Sequence, residues 1–228
     1  MIDKIYIIHY TKLTERKERI LSSLEKQGVP YEFITEYDQE DLEYVKKNYY
    51  NEDKEEYEKK IKTYEKLYGK LPFKPLNDAE ISCTIKHILA IKKVSEECSS
   101  AGLILEDDAI AYYDNFLFET ERSMGCYDNW GCIFLGQGIG DSFIGSKEKE
   151  NIAENLYRVH HPATNCAEAF VIKKEVAKLV YKTILPFQQI SDWEMACNFD
   201  MNNIDICWRL PSLFYQGSKS GEYKSTLR

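Results

Sequence analysis

The sequence lacks any CxxC pair, although it contains seven cysteines. Cys83, Cys98, Cys126, Cys132, Cys166, Cys197 and Cys207 are odd in number and scattered. That distribution argues against both a zinc site and a disulfide scaffold, and it fits reduced thiols in a cytosol-like compartment. Histidine is scarce, with only His9, His87, His160 and His161. No apolar run approaches the length of a membrane span. The first residues, Met1-Ile2-Asp3-Lys4, lead into a strand without a signal-peptide pattern. Basic excess is also missing: 30 Lys and Arg against 38 Asp and Glu leave a net charge of −8. Nucleic-acid binding needs basic surface to displace counterions, so that class is excluded, and attraction to anionic lipid is weak. The expectation is a soluble cytoplasmic protein, with loose peripheral attachment to a membrane left open.

What is present suits an enzyme-sized α/β domain. A length of 228 residues with 43% hydrophobic content can bury one core. We expect a single domain over 1–228 with a helical insertion over 41–70. Seventeen tyrosines and ten phenylalanines serve packing first, and tyrosine also contacts sugars.

Strands and helices alternate, and no internal repeat is visible. Ile5-Tyr6-Ile7-Ile8 is a β-branched apolar run and reads as the first strand. Thr14 offers an N-cap to a helix reaching about Gln27, where Gly28 and Pro30 stop it. Ile20, Leu21 and Leu24 form its core stripe, with Arg16, Lys17 and Arg19 on the other face. Tyr31-Glu32-Phe33-Ile34 completes a βαβ unit. Residues 41–70 are dense in Lys and Glu, with Tyr57, Ile61, Tyr64 and Tyr68 at helical spacing. They read as a solvated helix or as a lid on the acceptor side. Asn77 and Glu80 form a capping-box pattern for a helix over 78–97, with Ile81, Ile85, Ile88, Leu89 and Ile91 inward. Further strands are expected at 103–105, 132–135, 169–172 and 204–210, and a helix at 174–182. The fold class is α/β, a mostly parallel sheet flanked by helices.

The segment Gly102-Leu103-Ile104-Leu105-Glu106-Asp107-Asp108 carries the most information. The apolar run is a strand buried on both faces, and unpaired carboxylates cannot remain in such a core. The strand therefore ends where the acids begin, on the rim where open α/β sheets bind ligands. Two readings are open there, a metal–nucleotide site and a solvated acidic turn. In the first, hard divalent ions favour the oxygen donors. Glu106 and Asp108 then point one way to share a ligand, and Asp107 points the other.

Ser191-Asp192-Trp193-Glu194 starts a helix. Ser191 or Asp192 caps it and Trp193 packs, or else Asp192 or Glu194 is a general base and Trp193 a platform for a sugar ring. His9 ends the first strand on the rim, and His87 lies beside an apolar helix face. Each is either a structural histidine or a ligand contact. Arg16 and Arg19 form surface pairs or meet a diphosphate. Gly136-Gln137-Gly138-Ile139-Gly140 matches neither a Rossmann fingerprint nor a P-loop.

These segments together resemble glycosyltransferase family 25, the lipooligosaccharide and procollagen galactosyltransferase group. The resemblance rests on six pieces in order: Ile5 to Tyr10 with Arg16 and Arg19; Leu76 to Cys83 continuing to His87; Ile104 to Asp108; Phe134-Leu135-Gly136 with Ala169 to Ile172; Asp192-Trp193; and Pro211 to Gln216. Two positions depart from the family pattern, His9 for Asn and Lys86 for Ser. The resemblance implies a GT-A-type fold, a UDP-sugar donor, manganese or magnesium, and inversion at the anomeric carbon. By position it implies Glu106 and Asp108 as metal ligands, Asp107 at the ribose or donor sugar, and His9, Arg16, Arg19, His87 and Gln216 at the donor. It implies Asp192, with Glu194 second, as base, and Trp193 at the acceptor. The expected activity is transfer of a hexose, most readily galactose, to a hydroxyl of a lipooligosaccharide, other glycan or glycoprotein. The alternative is a UDP-sugar-binding module without turnover. A magnesium-dependent phosphohydrolase lacks a nucleophile motif beside the acids.

Overall fold

The first strand, β1 (Ile2–Ile8), sits beside β2 (Tyr31–Ile34) and β3 (Ala101–Glu106), parallel to both, with Ile8 opposite Ile34 on one side and Glu106 on the other. The computed structural model describes residues 1–62, 65, 73–138, 149–160 and 166–224. Among these residues an eight-stranded sheet runs in the order β2-β1-β3-β8-β5-β9-β7-β6. Its remaining members are β5 (Cys132–Phe134), β6 (Lys149–Ala153), β7 (Leu156–Val159), β8 (Ala169–Lys173) and β9 (Ile206–Arg209). Pairing is mixed. β5 and β9 are parallel, β8 enters antiparallel between β3 and β5, and the β6–β7 hairpin closes the edge antiparallel to β9.

Strand parity divides the core cleanly. Tyr6, Ile8, Ile104, Phe134, Phe170 and Ile172 face one layer, against helix α4 (Asp78–Glu97), α6 (Lys174–Tyr181) and α7 (Ser191–Met201). Ile5, Ile7, Leu103, Leu105, Ile133 and Val171 face the other, with Ile20 and Leu24 of α1 (Thr14–Leu24) and Phe116 and Leu117 of α5 (Phe116–Gly125). Residues i and i+2 share a face of a strand, so runs that look uniformly apolar feed two cores at once. The α4 helix opens with the expected capping box, Asn77 and Glu80 each satisfying the other's backbone N–H.

Local reality departs from the sequence reading in several places. Leu13, without a side-chain cap, precedes α1, and Thr14 is already helical. Arg16 belongs to the buried stripe with Ile20 and Leu24, and Leu21 is only half-buried. Helical spacing allows that placement, and the carboxylate that compensates the buried charge, Asp107, lies far along the chain. Among the described residues of the insertion are two short helices, α2 (Glu43–Asn48) and α3 (Lys54–Ile61), separated by Tyr50, which bridges to Phe187. Tyr57 and Ile61 are buried there, while Tyr64 and Tyr68 lie outside the described residues. The helix α5, the β6–β7 hairpin, and a two-stranded sheet of β4 (Ala109–Ala111) with β10 (Phe214–Gln216) carried no recognised sequence signal. A last turn, α8 (Gly217–Ser220), follows β10. Among the described residues no helix is long and apolar enough to cross a membrane.

Candidate active site

The chain leaves β1 toward β2 on one side and comes back to β3 on the other, which makes the β1–β3 boundary the switch point of the sheet. A cavity of about 430 Å³ opens beyond the carboxyl ends of these two strands. His9 and Tyr10 continue from β1 into its wall, Glu106, Asp107 and Asp108 from β3, and Gln216, Ser218 and Lys219 from β10 and α8. The acidic triplet is therefore the rim of a cavity and not a solvated turn.

The three acids have different surroundings. Asp107 is buried, and both its oxygens are taken: His9 Nδ1 lies 2.8 Å from Oδ2, and Arg16 Nη1 donates to Oδ1 at 2.9 Å. A carboxylate held by a buried arginine and a histidine positions those two side chains in the wall. Arg16 also donates to the Lys224 carbonyl at 2.6 Å and lies under the Tyr223 ring. Asp108 accepts from the Ser218 backbone N–H at 3.2 Å and sits 3.9 Å from Arg16. Burial pushes its carboxyl pKa up, against the lowering pull of Ser218 and Arg16. Glu106 points to the α4 side, as its parity with Ile104 requires. Gln216 Nε2 donates to its Oε2 at 3.1 Å. Burial, then the charges of Asp108, Glu168, Asp107 and Asp192, hold the Glu106 pKa well above the usual carboxylate range.

Glu168 is the residue that sequence reasoning missed. It immediately precedes β8, and its backbone carbonyl accepts from Glu106 N–H at 2.8 Å. Its Oε1 accepts from Gly138 N–H at 2.7 Å, while its buried Oε2 has no hydrogen-bond partner among the described residues. Burial raises its pKa to about 7. Gly136 makes the room, since a Cβ there would stand 2.4 Å from the Glu168 carboxyl. The N–H of Gly138, in the turn considered for phosphate, is thus spent on an internal carboxylate; Ile139 and Gly140 lie outside the described residues. An acidic residue just before an apolar strand, mirroring Glu106 at the end of its neighbour, was the available signal.

Lys219 was missed as well. It lines the cavity, donates to the Gly138 carbonyl at 2.9 Å and approaches Cys166 Sγ at 3.3 Å. Its charge lowers the pKa values of Glu168 and Asp192. The two departures from the family pattern touch each other: buried Lys86 donates to the His9 carbonyl at 2.6 Å and pairs with Asp38. Burying an ammonium requires such a partner.

The remaining expected residues divide. Gln216 and His9 are in the wall. His87 lies beneath it, fully buried, with its pKa lowered by burial and its Nε2 3.6 Å from Glu106 Oε1. Arg19 is exposed outside the main cavity, paired with Glu222 at 2.6 Å. Asp192 is half-buried beside the cavity, close enough to raise the Glu106 pKa, and burial raises its own. Ile190, not Ser191 or Asp192, is the N-cap residue of α7. Glu194 is wholly buried and fully engaged: it pairs with Lys60 and accepts from the N–H groups of Gln188 and Gln189 at 3.0 and 3.3 Å. It ties the insertion and the 185–190 loop to α7 and has no oxygen free for an acceptor. Trp193 packs against the Tyr57, Ile61 and Cys197 cluster. His161 lies outside the described residues.

A hard divalent cation fits this donor set. Glu106 and Asp108 offer oxygens to the cavity they both line, and buried Glu168 nearby has one oxygen without a hydrogen-bond partner among the described residues. Like charges at this density, in a poorly solvated place, are stabilised by a cation among them.

A mixed, mostly parallel sheet flanked by helices, GT-A-like, with an acid-lined cavity at its switch point, is the class these features define. Residues 2–128 match the family described as glycosyltransferase family 25 (LPS biosynthesis protein), and the chain belongs to that family. The structure of Staphylococcus aureus TarS residues 1–349 is similar in fold, with a TM-score of 0.50 and 14% identity over 98% of this chain and 63% of that one. The chain thus spans under two thirds of the length of that structure. An apo UDP-glucose pyrophosphorylase superposes with a TM-score of 0.49 and 11% identity, covering 95% of this chain and 92% of that one. No curated protein matches the sequence.

Proposed function

We propose that the protein is a metal-dependent inverting glycosyltransferase that moves a hexose, galactose foremost, from a UDP-sugar to a hydroxyl of a lipooligosaccharide or other glycan. The observation that carries the reading is that Glu106, Asp108 and Gln216 all line the switch-point cavity in a chain of this family. A manganese or magnesium ion held by Glu106 and Asp108 would offset the charge that gathers on the departing diphosphate. Lys219 supplies a cation for the same phosphates, and Asp107 keeps Arg16 and His9 in the wall. Asp192 is the base: its raised pKa makes it a better proton acceptor than an ordinary aspartate. It takes the proton of the acceptor hydroxyl as that oxygen bonds to the sugar C1. The C1–phosphate oxygen bond breaks on the opposite face, and its electron pair leaves with UDP.

The test is a UDP-release screen across donor sugars with and without manganese. We expect release with UDP-galactose, dependent on the metal, and loss of at least about a hundredfold in Asp108→Ala, comparable to removing one transition-state electrostatic partner. Full activity in Asp108→Ala, with unchanged thermal unfolding, would refute the site. Binding of UDP and manganese without release for any acceptor supports the inactive binding module instead.

A further inference from the structure

Three unlike ligand atoms converge under the floor of the cavity. Cys83 and His87 are one turn apart on α4 and share the face turned to the end of β3. Cys83 Sγ is 3.9 Å from Glu106 Oε1, and His87 Nε2 is 3.6 Å from the same oxygen. One ligand atom from each residue lies within 4.8 Å of the other two. Cys83 Sγ lies 3.7 Å from Nδ1 of the His87 ring; zinc bonded to sulfur, nitrogen and oxygen at its usual lengths sets ligand atoms roughly 3.3–3.8 Å apart, so the three side chains close on the ion by rotamer adjustment when it binds.

The imidazole points the same way. Its Nδ1 lies 3.0 Å from the Cys83 carbonyl, and its Nε2 lies 3.3 Å from the Ala167 carbonyl. A neutral ring has one N–H for these two acceptors. With the proton on Nδ1, toward the nearer carbonyl, the Nε2 lone pair faces both Ala167 O and Glu106 Oε1. A lone pair turned on two oxygens is relieved by a cation. A carbonyl-anchored Nδ1–H is also how ligating histidines are oriented. Gln216 occupies Glu106 Oε2, which leaves Oε1 for the thiol and the ring. Cys83 itself lines the cavity, so the position has an opening for ions and for a fourth ligand.

We propose that Cys83, His87 and Glu106 form a site for a thiophilic divalent cation of the zinc type, which inhibits the transferase by taking Glu106. Sulfur and nitrogen donors separate it from the all-oxygen pair Glu106 and Asp108, which suits a hard ion. Cysteine spacing alone counts against zinc here, because the third ligand comes from a strand and not from a second cysteine pair. On binding, the Cys83 S–H bond breaks, its proton leaves to the buffer and a sulfur–metal bond forms, without redox change. The inhibitory half rests on reading Glu106 as a ligand of the transferase metal; the binding half does not.

Cobalt(II), the spectroscopic stand-in for zinc, is titrated into the full chain. The expected result is a near-ultraviolet sulfur-to-cobalt charge-transfer band with intense visible bands of a low-coordinate ion, both removed by zinc. Cys83→Ser should lose the charge-transfer band and bind zinc at least about tenfold more weakly. His87→Gln should weaken zinc to a similar extent while keeping the sulfur band. Cys126→Ser, at an exposed thiol, should match the parent. Absence of the band in the parent, or its persistence in Cys83→Ser, would overturn the site. In the manganese-supported UDP-release assay, zinc should inhibit the parent, manganese should relieve it, and Cys83→Ser should be at least about tenfold less sensitive. Equal sensitivity overturns the inhibitory role. The cobalt and zinc titrations decide the site even if no donor sugar is turned over.

Discussion

Glu168 shows how one side chain reports on its surroundings. Its carboxyl sits at about 7 in the folded chain against an ordinary value of 4.5, because burial disfavours the charge. Between those values the native protein holds a proton that the unfolded chain has released, so stability falls as pH rises from about 4.5 to about 7. Above that window the whole penalty is present, roughly 3 kcal/mol for this shift. Glu168→Gln keeps the acceptor for Gly138 N–H and cannot ionise. Urea unfolding at about pH 5 and about pH 8 should show the variant gaining stability relative to the parent by that order only at the higher pH. Equal difference at both values would contradict the buried-acid reading. Lys219 behaves differently, since it is exposed at one end and turned to the cavity at the other. Lys219→Met should raise the KM for the UDP-sugar about tenfold, near 1.4 kcal/mol, and leave the melting temperature within a degree or so. An unchanged KM would remove Lys219 from the phosphate site.

At the scale of elements, the site is a product of how α4 lies on β3. Gly102 permits that approach: a Cβ there would stand 2.4 Å from Val94 Cγ2 and 3.3 Å from Tyr6 Cε2. Both neighbours are buried, so neither can swing away cheaply. Gly102→Ala should cost about 1–3 kcal/mol in urea unfolding, the usual penalty of overpacking. Stability equal to the parent's would mean the helix can lift off the sheet without loss. The same seating sets Cys83 and His87 against Glu106, three residues that no local pattern unites. Helix α1 does the equivalent on the other face, where Arg16 shares the buried stripe of Ile20 and Leu24 and reaches Asp107.

For the whole molecule, the candidate site is an accumulation of negative charge inside a chain that is already at −8. Glu106, Asp108, Glu168 and Asp192 all have pKa values raised by burial, so their ionised forms oppose folding until a cation joins them. A ligand that binds only the native state stabilises it by mass action, about 2.7 kcal/mol at a hundred times its dissociation constant. Manganese should therefore raise the melting temperature of the parent, and chelation should reverse the gain. Asp108→Ala should not respond. A parent that melts at the same temperature with and without manganese would exclude a hard-ion site among these carboxylates.

Periodicity and local chemistry determined much of this protein without a structure. The strand 31–34, the capped helix 78–97 and the strand ending at Glu106 all lie where their residues require, because strand parity, capping and turn preferences act over a few neighbours. The alternation of Glu106 and Asp107 between faces was legible for the same reason. Only the tertiary structure decided what those faces meet. Arg16 moved from surface to interior because Asp107, ninety-one positions away, compensates its burial. Glu194, a candidate base by sequence, is spent on Lys60 and two loop N–H groups. Glu168, Lys219 and the Cys83–His87–Glu106 cluster became visible only when β8, α8 and α4 were brought to one rim. Desolvation and pairing act through space, and a carboxylate's role depends on neighbours that chain order does not record.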